Sequence, residues 1–239
     1  MKNKDQWQPT HFEKDARDRV FGTHMQKIIG YAYQKIIREH SKGILADIGC
    51  GSIPYYAIYK DLVSDNICVD WGREDGEISY LDFVADLNES IPLENEIANT
   101  VLCTDLLEHI RTPELLFAEM ARIMKPDAKL ILTVPFMYWI HDAPHDHHRY
   151  TRYMLEDFCS RNKLSVVSIE EYGGLPEVIY DLIHKGYIFY NFPLRRAFLF
   201  LWRKTGMFLY RRKKIRRWSA NSSKTFPLGY ILVAQKTIV

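Results

Sequence analysis

Hydrophobic and polar positions follow two different patterns along the chain. From about residue 15 to His40, apolar side chains recur every three or four positions, as in a helix with one buried face. Short continuous apolar runs follow, and runs of this length suit strands that are buried on both sides of a parallel sheet. The runs predicted as strands are Ile44–Ile48, Ile67–Asp70, Thr100–Thr104 and Leu130–Val134.

Helical patterns separate these runs. The clearest begins at Thr112-Pro113-Glu114, where the threonine is a good N-cap, the proline suits the first helical position and the glutamate favours the positive helix end. It stops at Lys125-Pro126, and a further helix is predicted from Thr151, its expected cap, to about Ser160. Strands that alternate with helices predict an α/β fold with a doubly wound, parallel sheet.

The last third of the chain has a different pattern. Leu164–Glu170 and Gly229–Ala234 are strand candidates, and the stretch between them is rich in aromatic and basic residues. Two strands of one sheet need only a short connection between them. We therefore interpret this long stretch as an insertion. The predicted division is an N-terminal arm and helix (1–40), a core (41–174), the insertion (175–226) and a final core strand (227–239).

Charge is concentrated in the insertion. The 239 residues carry a formal charge of only +2, but residues 195–217 hold ten Lys or Arg and no acid. The other 22 basic and 30 acidic residues leave the rest of the chain at −8. The protein is therefore a mildly acidic chain that carries one basic segment.

Composition limits the class of protein. Hydrophobic residues make up 47%, too many for a disordered chain, yet no run reaches the roughly 18 apolar residues of a membrane-spanning helix. The polar N-terminus lacks the apolar core of a signal peptide. The four cysteines include no CxxC pair and are interpreted as buried thiols rather than as disulfides or zinc ligands. We expect a cytoplasmic location, with a peripheral position at the inner face of the membrane left open by the basic segment.

A glycine loop follows the first strand, in the stretch Asp47-Ile48-Gly49-Cys50-Gly51. Two glycines let the backbone turn sharply and approach a ligand closely. The dinucleotide fingerprint GxGxxG fails here because Pro54 occupies the position of its third glycine. The acid before the glycines, Asp47, would repel a pyrophosphate but suits a cationic ligand.

Further acids come at or just after the other predicted strand ends. Asp70 lies 21 residues after Gly49, where an acid can accept hydrogen bonds from ribose hydroxyls. Asp86 and Asp105 follow the next two apolar stretches. The carboxyl ends of parallel strands meet at one edge, which is where open α/β sheets bind ligands. The alternative is that these acids cap helices and solvate strand ends.

This constellation resembles the class I S-adenosylmethionine-dependent methyltransferases. The resemblance spans about residues 40–172 and the final strand, and it includes the Leu107-Glu108-His109 step and the stretch 124–135. It implies a Rossmann-like seven-stranded sheet with an antiparallel last strand, S-adenosyl-L-methionine as cofactor, and methyl transfer. The cofactor-binding positions that it implies are Asp47, Gly49, Cys50, Gly51, Asp70, Asp86, Leu87, Cys103, Thr104 and Asp105.

The resemblance also implies separate roles for the acids. Asp47 would serve the amino group of the cofactor, Asp70 the ribose hydroxyls and Asp86 the adenine amine. Two positions depart from the family pattern: Ile53 and Asp127 stand where many members carry glycine. Neither position contacts the cofactor in that pattern.

A histidine-rich segment follows the fourth strand run, with four His and two Asp in residues 141–148. We expect no metal, because the cysteines add no partner motif to this spacing. The segment resembles one branch of the methyltransferases, in which a His-Asp…Arg-Tyr-Thr stretch lies over the cofactor mouth. Arg149 would either hold an anionic group of the acceptor or form a salt bridge to Glu108 or Asp146.

Histidines of this region are the candidates for a general base. Methyl transfer is an in-line displacement, and an acceptor hydroxyl must also lose its proton. A neutral imidazole suits that task near pH 7. The first candidates are His145 and His148, with His109 third.

The insertion leaves three interpretations open. Apolar runs bracketed by cations suit an anionic membrane surface or a lipid-linked substrate, a lid or homodimer contact, or, least well, nucleic acid. The resemblance is nearest to members of bacterial surface-glycan and lipid-linked biosynthesis, which implies O-methylation of a saccharide or lipid-linked acceptor. The alternatives are a methyltransferase for nucleic acid or a small metabolite, and a non-catalytic cofactor-binding scaffold.

Overall fold

The six predicted strands and a further short strand, Phe83–Val84, form one seven-stranded sheet in the computed structural model, which describes residues 24–72, 80–189 and 195–237. Their order is β3-β2-β1-β4-β5-β7-β6, and β7 is antiparallel to both β5 and β6. The seven-stranded sheet with an antiparallel last strand is therefore confirmed. The strands are β1 (Ile44–Ile48), β2 (Asp65–Asp70), β3 (Phe83–Val84), β4 (Ala98–Thr104), β5 (Met124–Pro135), β6 (Leu164–Tyr172) and β7 (Gly229–Lys236).

Helices cover the sheet and build the insertion. The first is described from residue 24 onward, so the predicted arm and the start of the predicted helix lie outside the described residues. A single 3-10 turn, Leu107–His109, follows β4. The helices are α1 (His24–His40), α2 (Tyr56–Tyr59), α3 (Pro113–Ile123), α4 (Arg152–Arg161), α5 (Leu175–Phe189), α6 (Arg195–Tyr210) and α7 (Lys213–Ser222).

Both faces of the sheet are buried, which explains the continuous apolar runs of the strands. On one face Phe117 of α3 and Phe158 of α4 pack in the larger core cluster. On the other face Tyr33 of α1 and Tyr59 of α2 pack in a second cluster with Leu45 of β1. The doubly wound arrangement predicted from the sequence is therefore present.

The capping hydrogen bonds predicted for two threonine side chains are not formed. Thr112 and Thr151 do precede α3 and α4, but neither side chain makes a capping hydrogen bond. The Thr112 hydroxyl instead donates to the carbonyl oxygen of Asn88, 3.2 Å away. A long-range partner has displaced the local one there.

The insertion is helical, as predicted, and its helices pack through aromatic rings. Tyr180 of α5 stacks on Trp202 of α6 with ring centroids 5.2 Å apart. Gly206 permits this approach, because a Cβ atom there would lie 2.3 Å from the Tyr180 ring. The backbone N–H of Leu175 donates to the hydroxyl of Ser222 at 2.9 Å, which joins the start of α5 to the end of α7. Within the described ranges, no helix has the length and apolarity needed to cross a bilayer.

Candidate active site

The glycine loop lies beyond the carboxyl end of β1. Gly49 and Gly51 have φ values of +68° and +54°, in the left-handed region that favours glycine. A Cβ atom at Gly49 would lie 2.5 Å from the Leu106 side chain, whereas one at Gly51 would meet nothing within 4 Å. Asp70 accepts a hydrogen bond from the Gly51 N–H at 2.8 Å. The loop therefore presents open space at Gly51, directly beside a strand-end carboxylate.

The two departures from the family pattern take up the backbone conformation of glycine. Ile53 has φ +46° and Asp127 has φ +63°, both in the left-handed region. A β-branched residue there is a genuine outlier. Ile53 is 2% exposed and packs in a small cluster with Cys50 and Leu81, so its burial offsets part of that strain.

The acids of the sheet edge differ in how far they are already engaged. Asp47 is 2% exposed and accepts a hydrogen bond from the Tyr59 hydroxyl at 2.9 Å. Asp86 accepts hydrogen bonds from the backbone and side-chain nitrogens of Asn88, and these bonds lower the pKa of its carboxyl. Asp86 is thus engaged with the turn that follows it. Leu87, which follows it, is buried in the core.

Three consecutive residues at the end of β4 have three different environments. Cys103 is fully buried in the larger core cluster, so only its backbone can face a ligand. Thr104 is half-buried, and Asp105 turns out of the strand with φ +49°. Asp105 Oδ1 accepts hydrogen bonds from the Tyr33 hydroxyl at 2.8 Å and the Thr133 hydroxyl at 3.1 Å. Helix α1 and strand β5 thereby position this carboxylate.

A polar cavity of about 290 Å³ lies beside Asp105, at the carboxyl ends of β4 and β5. The turn after β4 and the histidine-rich segment, which are distant in the sequence, form two of its walls. Its lining residues are Asp105, Glu108, His109, Pro135, Tyr138, His141, Asp142, Tyr172 and Leu228.

Glu108 is the least expected member of this lining. Its side chain is fully buried, and neither carboxylate oxygen has a hydrogen-bond partner among the residues that the structure describes. Burial, reinforced by the charge of Asp105, raises the pKa of the Glu108 carboxyl well above its usual value. Glu108 Oε1 lies 3.8 Å from His109 Nε2 and 3.9 Å from His141 Nε2. We call Glu108, His109 and His141 the cavity triad.

A hydrogen bond orients the His109 ring, and a nearby carboxylate, which accepts from the backbone N–H of His141, lies beside the His141 ring. His109 Nδ1 lies 2.9 Å from the carbonyl oxygen of His145, and because a carbonyl only accepts, this nitrogen carries the ring proton. His141 Nδ1 lies 3.2 Å from Asp146 Oδ2. Burial lowers the pKa of His141, which favours its neutral form. The Nε2 atom of each ring is then directed toward Glu108.

Arg149 is committed to the protein itself. Its guanidinium makes a two-pronged contact with Asp146, with Nη2 to Oδ2 at 2.8 Å, and also donates to the carbonyl oxygen of Trp139 at 2.8 Å. These hydrogen bonds hold the pKa of Asp146 well below its usual range. The geometry favours the salt bridge with Asp146 over an anchor for the acceptor.

Of the three histidines proposed as bases, only His109 lines the cavity. His145 is exposed, with its ring edge-on to Trp71 at 5.1 Å. The His148 ring lies 5.6 Å from the Tyr150 ring. His141, which does line the cavity, was not singled out from the sequence.

Backbone hydrogen bonds decide which histidines face inward. The N–H groups of His147 and His148 both donate to the carbonyl oxygen of Glu108, at 2.8 and 3.1 Å. The Tyr150 hydroxyl donates to the carbonyl oxygen of Leu107 at 3.0 Å. These hydrogen bonds hold the histidine-rich segment over the 3-10 turn. The order of residue types along the chain does not predict this backbone path.

The insertion reaches the cavity wall through one lysine. Lys185 of α5 pairs with Asp181, and its Nζ lies 3.2 Å from the centroid of the Tyr138 ring. Burial lowers the pKa of Lys185. Since Tyr138 lines the cavity, the basic insertion and the candidate active site are in direct contact.

Comparison with known proteins agrees with this architecture. A family model described as a methyltransferase domain matches residues 21–175, more than half of the chain. A search of curated proteins found no match. The identities to the similar solved structures are low, so these structures establish the shared fold alone.

Three of these structures cover most of the chain. The YcgJ protein of Bacillus subtilis has 14% identity and a TM-score of 0.56, covering 87% of this chain and 100% of its own. A putative methyltransferase from Bacillus halodurans has 12% identity and a TM-score of 0.54, with coverages of 87% and 98%. A SAM-dependent methyltransferase from Methanosarcina mazei has 12% identity and a TM-score of 0.53, with coverages of 85% and 98%.

Proposed function

The chain belongs to the methyltransferase domain family and uses S-adenosyl-L-methionine, and we propose that it methylates an oxygen atom of a saccharide or lipid-linked acceptor. The observation that carries the oxygen acceptor is the cavity triad. A hydroxyl must lose a proton as it accepts a methyl group, and the triad supplies basic atoms where such a proton would be released. A cavity lined by carboxyl, imidazole and phenol groups also suits an acceptor that bears several hydroxyls.

The glycine loop fits the proposed cofactor. Open space at Gly51 lets a ligand approach the backbone, and Asp70, which already accepts from the Gly51 N–H, has further lone pairs for ribose hydroxyls. The buried charge of Asp47 lies just before the loop and favours a cationic ligand there. When bound, the cofactor supplies a methyl group on a positively charged sulfur.

The protein's part in the reaction is alignment and proton handling. The carboxyl edge of the sheet holds the cofactor on one side, and the cavity holds the acceptor on the other, which converts a bimolecular encounter into an oriented one. The unprotonated Nε2 atoms of His109 and His141 face the acceptor space and stabilise the loss of the hydroxyl proton. Glu108 lies behind them in the same cavity.

The insertion supports an acceptor at a membrane surface. Phe200, Lys204 and Phe208 lie four residues apart along α6, and all three are exposed. Lys204 Nζ lies 5.1 Å from the Phe200 ring, and the Arg212 guanidinium lies 4.4 Å from the Phe208 ring. Exposed cations of residues 211–217 continue this surface. Aromatic rings interleaved with cations favour the headgroup region of an anionic bilayer.

The proposed reaction is tested with cofactor labelled in its methyl group. We expect label to enter a membrane-derived or saccharide fraction of a cell extract and to be recovered as an O-methyl ether by mass spectrometry. Label recovered in protein, nucleic acid or an N-methyl product would contradict the proposed acceptor.

Gly51→Ala should weaken cofactor binding while leaving the fold intact. The left-handed backbone costs a non-glycine residue about 1–2 kcal/mol, and the new methyl group points into open space where a ligand would approach. We expect the calorimetric Kd for S-adenosyl-L-methionine to rise at least about tenfold, while Tm falls only a few degrees. The control is Gly186→Ala in α5, where a Cβ atom also meets nothing within 4 Å. Equal Kd values for both variants would contradict a cofactor contact at Gly51.

Neutralising the cations of the insertion should release the protein from anionic vesicles. Each cation near such a surface contributes about 1 kcal/mol, so replacing all six should reduce flotation with vesicles at least about 100-fold. The six substitutions are Arg211→Gln, Arg212→Gln, Lys213→Gln, Lys214→Gln, Arg216→Gln and Arg217→Gln.

The control neutralises exposed cations at other places in the chain. Lys35→Gln, Arg38→Gln, Lys42→Gln and Lys60→Gln remove positive charge from α1 and the loops near α2. We expect this variant to float as the unaltered protein does. Undiminished flotation after neutralising the insertion would contradict a membrane contact through that segment.

A further inference from the structure

The geometry points to a site for a divalent transition-metal cation at the cavity triad. One ligand atom from each of Glu108, His109 and His141 lies within 4.8 Å of the other two. We propose that these three side chains bind such a cation on the acceptor side of the cavity. The sequence alone predicted no metal, because the cysteines add no partner motif to the histidine-rich segment.

The first argument is the environment of the carboxylate. Glu108 is fully buried, and both of its oxygens lack a hydrogen-bond partner. A buried carboxylate without partners is costly, and buried charges in proteins are paired or coordinate metals. A cation at the triad would supply the missing partner.

The second argument is the direction of the lone pairs. The proton of His109 is on Nδ1, toward the carbonyl oxygen of His145, and the anionic carboxylate of Asp146 beside His141 Nδ1 favours the same tautomer there. The Nε2 lone pairs of both rings are then directed at a carboxylate oxygen, at 3.8 and 3.9 Å. One ligand atom from each of three side chains therefore converges on the same point of the cavity wall. A cation is the ligand that this arrangement satisfies.

The third argument is the support behind the rings. Histidines that bind metals donate their other N–H to a carbonyl or a carboxylate, which sets the tautomer and the ring orientation. His109 has the carbonyl of His145 as its acceptor. The carboxylate of Asp146, itself held by Arg149, lies 3.2 Å from His141 Nδ1 and is in place to accept that N–H after a small rotation of the ring. Arg149 therefore acts as a positioning residue, which accounts for its engagement away from the acceptor.

The distances are compatible with binding after a small contraction. Ligand atoms around one transition metal lie roughly 3.0–3.4 Å apart, given bond lengths of about 2.0–2.2 Å. The two distances from Glu108 Oε1 exceed this range by roughly half an ångström to one ångström. The ligand atoms of His109 and His141 lie within 4.8 Å of each other, so rotation of both rings toward the cation is required as well.

The donor set indicates which cations fit. Two imidazoles and one carboxylate suit Zn²⁺, Mn²⁺, Fe²⁺ or Co²⁺ better than Ca²⁺ or Mg²⁺, which prefer oxygen ligands. Three protein ligands leave coordination positions open toward the cavity. An acceptor hydroxyl could occupy one of them.

What the cation does in the reaction rests on the proposed function. A coordinated hydroxyl loses its proton more readily, and here the proton passes to water. The oxygen then forms a bond to the methyl carbon as the bond from that carbon to sulfur breaks. With the cation bound, the Nε2 atoms of His109 and His141 are its ligands and no longer act as bases, so the cation takes over their part in the loss of the hydroxyl proton. Cation binding itself does not depend on methyl transfer.

The test is binding of Co²⁺ and Zn²⁺ to the full chain after treatment with a chelator. We expect one equivalent per chain by calorimetry and elemental analysis, a visible absorption band for bound Co²⁺, and a higher Tm. Glu108→Gln and His141→Ala should each weaken binding at least about tenfold. His147→Ala, which removes an exposed histidine of the same segment, should bind as the unaltered protein does.

Several outcomes would overturn the site. These are the absence of stoichiometric binding, or equal affinities in the unaltered protein, Glu108→Gln and His141→Ala. Circular dichroism and S-adenosyl-L-methionine affinity establish that the variants are folded. Metal binding without methyl transfer to any hydroxyl would support the site and contradict the proposed function. Full methyl transfer by chelator-treated protein would contradict the part assigned to the cation in the reaction.

Discussion

We expect Asp70→Ala to weaken S-adenosyl-L-methionine binding at least about 100-fold. The carboxylate has two tasks in the proposed complex. It accepts from the Gly51 N–H at 2.8 Å, which holds the glycine loop against β2, and it accepts from the ribose hydroxyls. Hydrogen bonds to a charged group contribute about 1.5–3 kcal/mol each, so losing several removes most of the affinity for the ribose.

Calorimetry with S-adenosyl-L-methionine and with its demethylated product measures this loss. The matched control is Asp65→Ala at the opposite end of β2, where the carboxylate accepts a hydrogen bond from the adjacent N–H of Asn66 at 2.9 Å. That variant should keep its affinity. An unchanged affinity in Asp70→Ala would remove Asp70 from the ribose contact and leave it as a support for the loop.

The second large effect is expected for His141→Ala, which should lower kcat at least about 100-fold. The imidazole is the member of the cavity triad that comes from the histidine-rich segment, and its Nε2 lies 3.9 Å from Glu108 Oε1. Removing it takes away a basic atom, or a cation ligand, at the point where the hydroxyl proton is lost. The glycine loop and Asp70 are untouched, so the Kd for S-adenosyl-L-methionine should change less than about threefold.

Steady-state kinetics with the labelled cofactor and an accepted substrate provide the measurement. His147→Ala is again the control, because this histidine is exposed and does not line the cavity. A kcat equal to that of the unaltered enzyme would exclude His141 from proton handling. A large loss of kcat in His145→Ala, with an unchanged kcat in His141→Ala, would instead identify His145 as the base.

The positions of the proposed cofactor contacts at the sheet edge could be predicted from the sequence because their signals are local. Asp47, Gly49 and Asp70 each lie at the end of a strand whose hydrophobic run marks it, and parallel strands bring such ends to one edge. The sequence did not predict that Asp47 is buried against Tyr59 or that Cys103 is buried in the core. The burial of each residue depends on which side of its strand faces a helix.

The acceptor side could be predicted only in part. The sequence singled out the segment that holds His141 and Arg149, yet ranked two other histidines first and left the partner of Arg149 open. The observed choice depends on contacts between distant positions: His147 with Glu108, and Tyr150 with Leu107. No periodicity encodes such pairs, because they form only when the segment folds back over the 3-10 turn.

The sequence by itself determined the alternation of strands and helices, the doubly wound sheet, the glycine loop and the concentration of cations in the insertion. Each of these follows from neighbouring residues, through hydrophobic period, backbone freedom or net charge. The tertiary structure alone decided that Glu108 is buried without a hydrogen bond, that His109 and His141 face it, and that Lys185 reaches Tyr138. Those features arise because packing between distant parts of the chain sets the direction of each side chain. The direction of a side chain in turn fixes where its lone pairs point, and this determines what a site can bind.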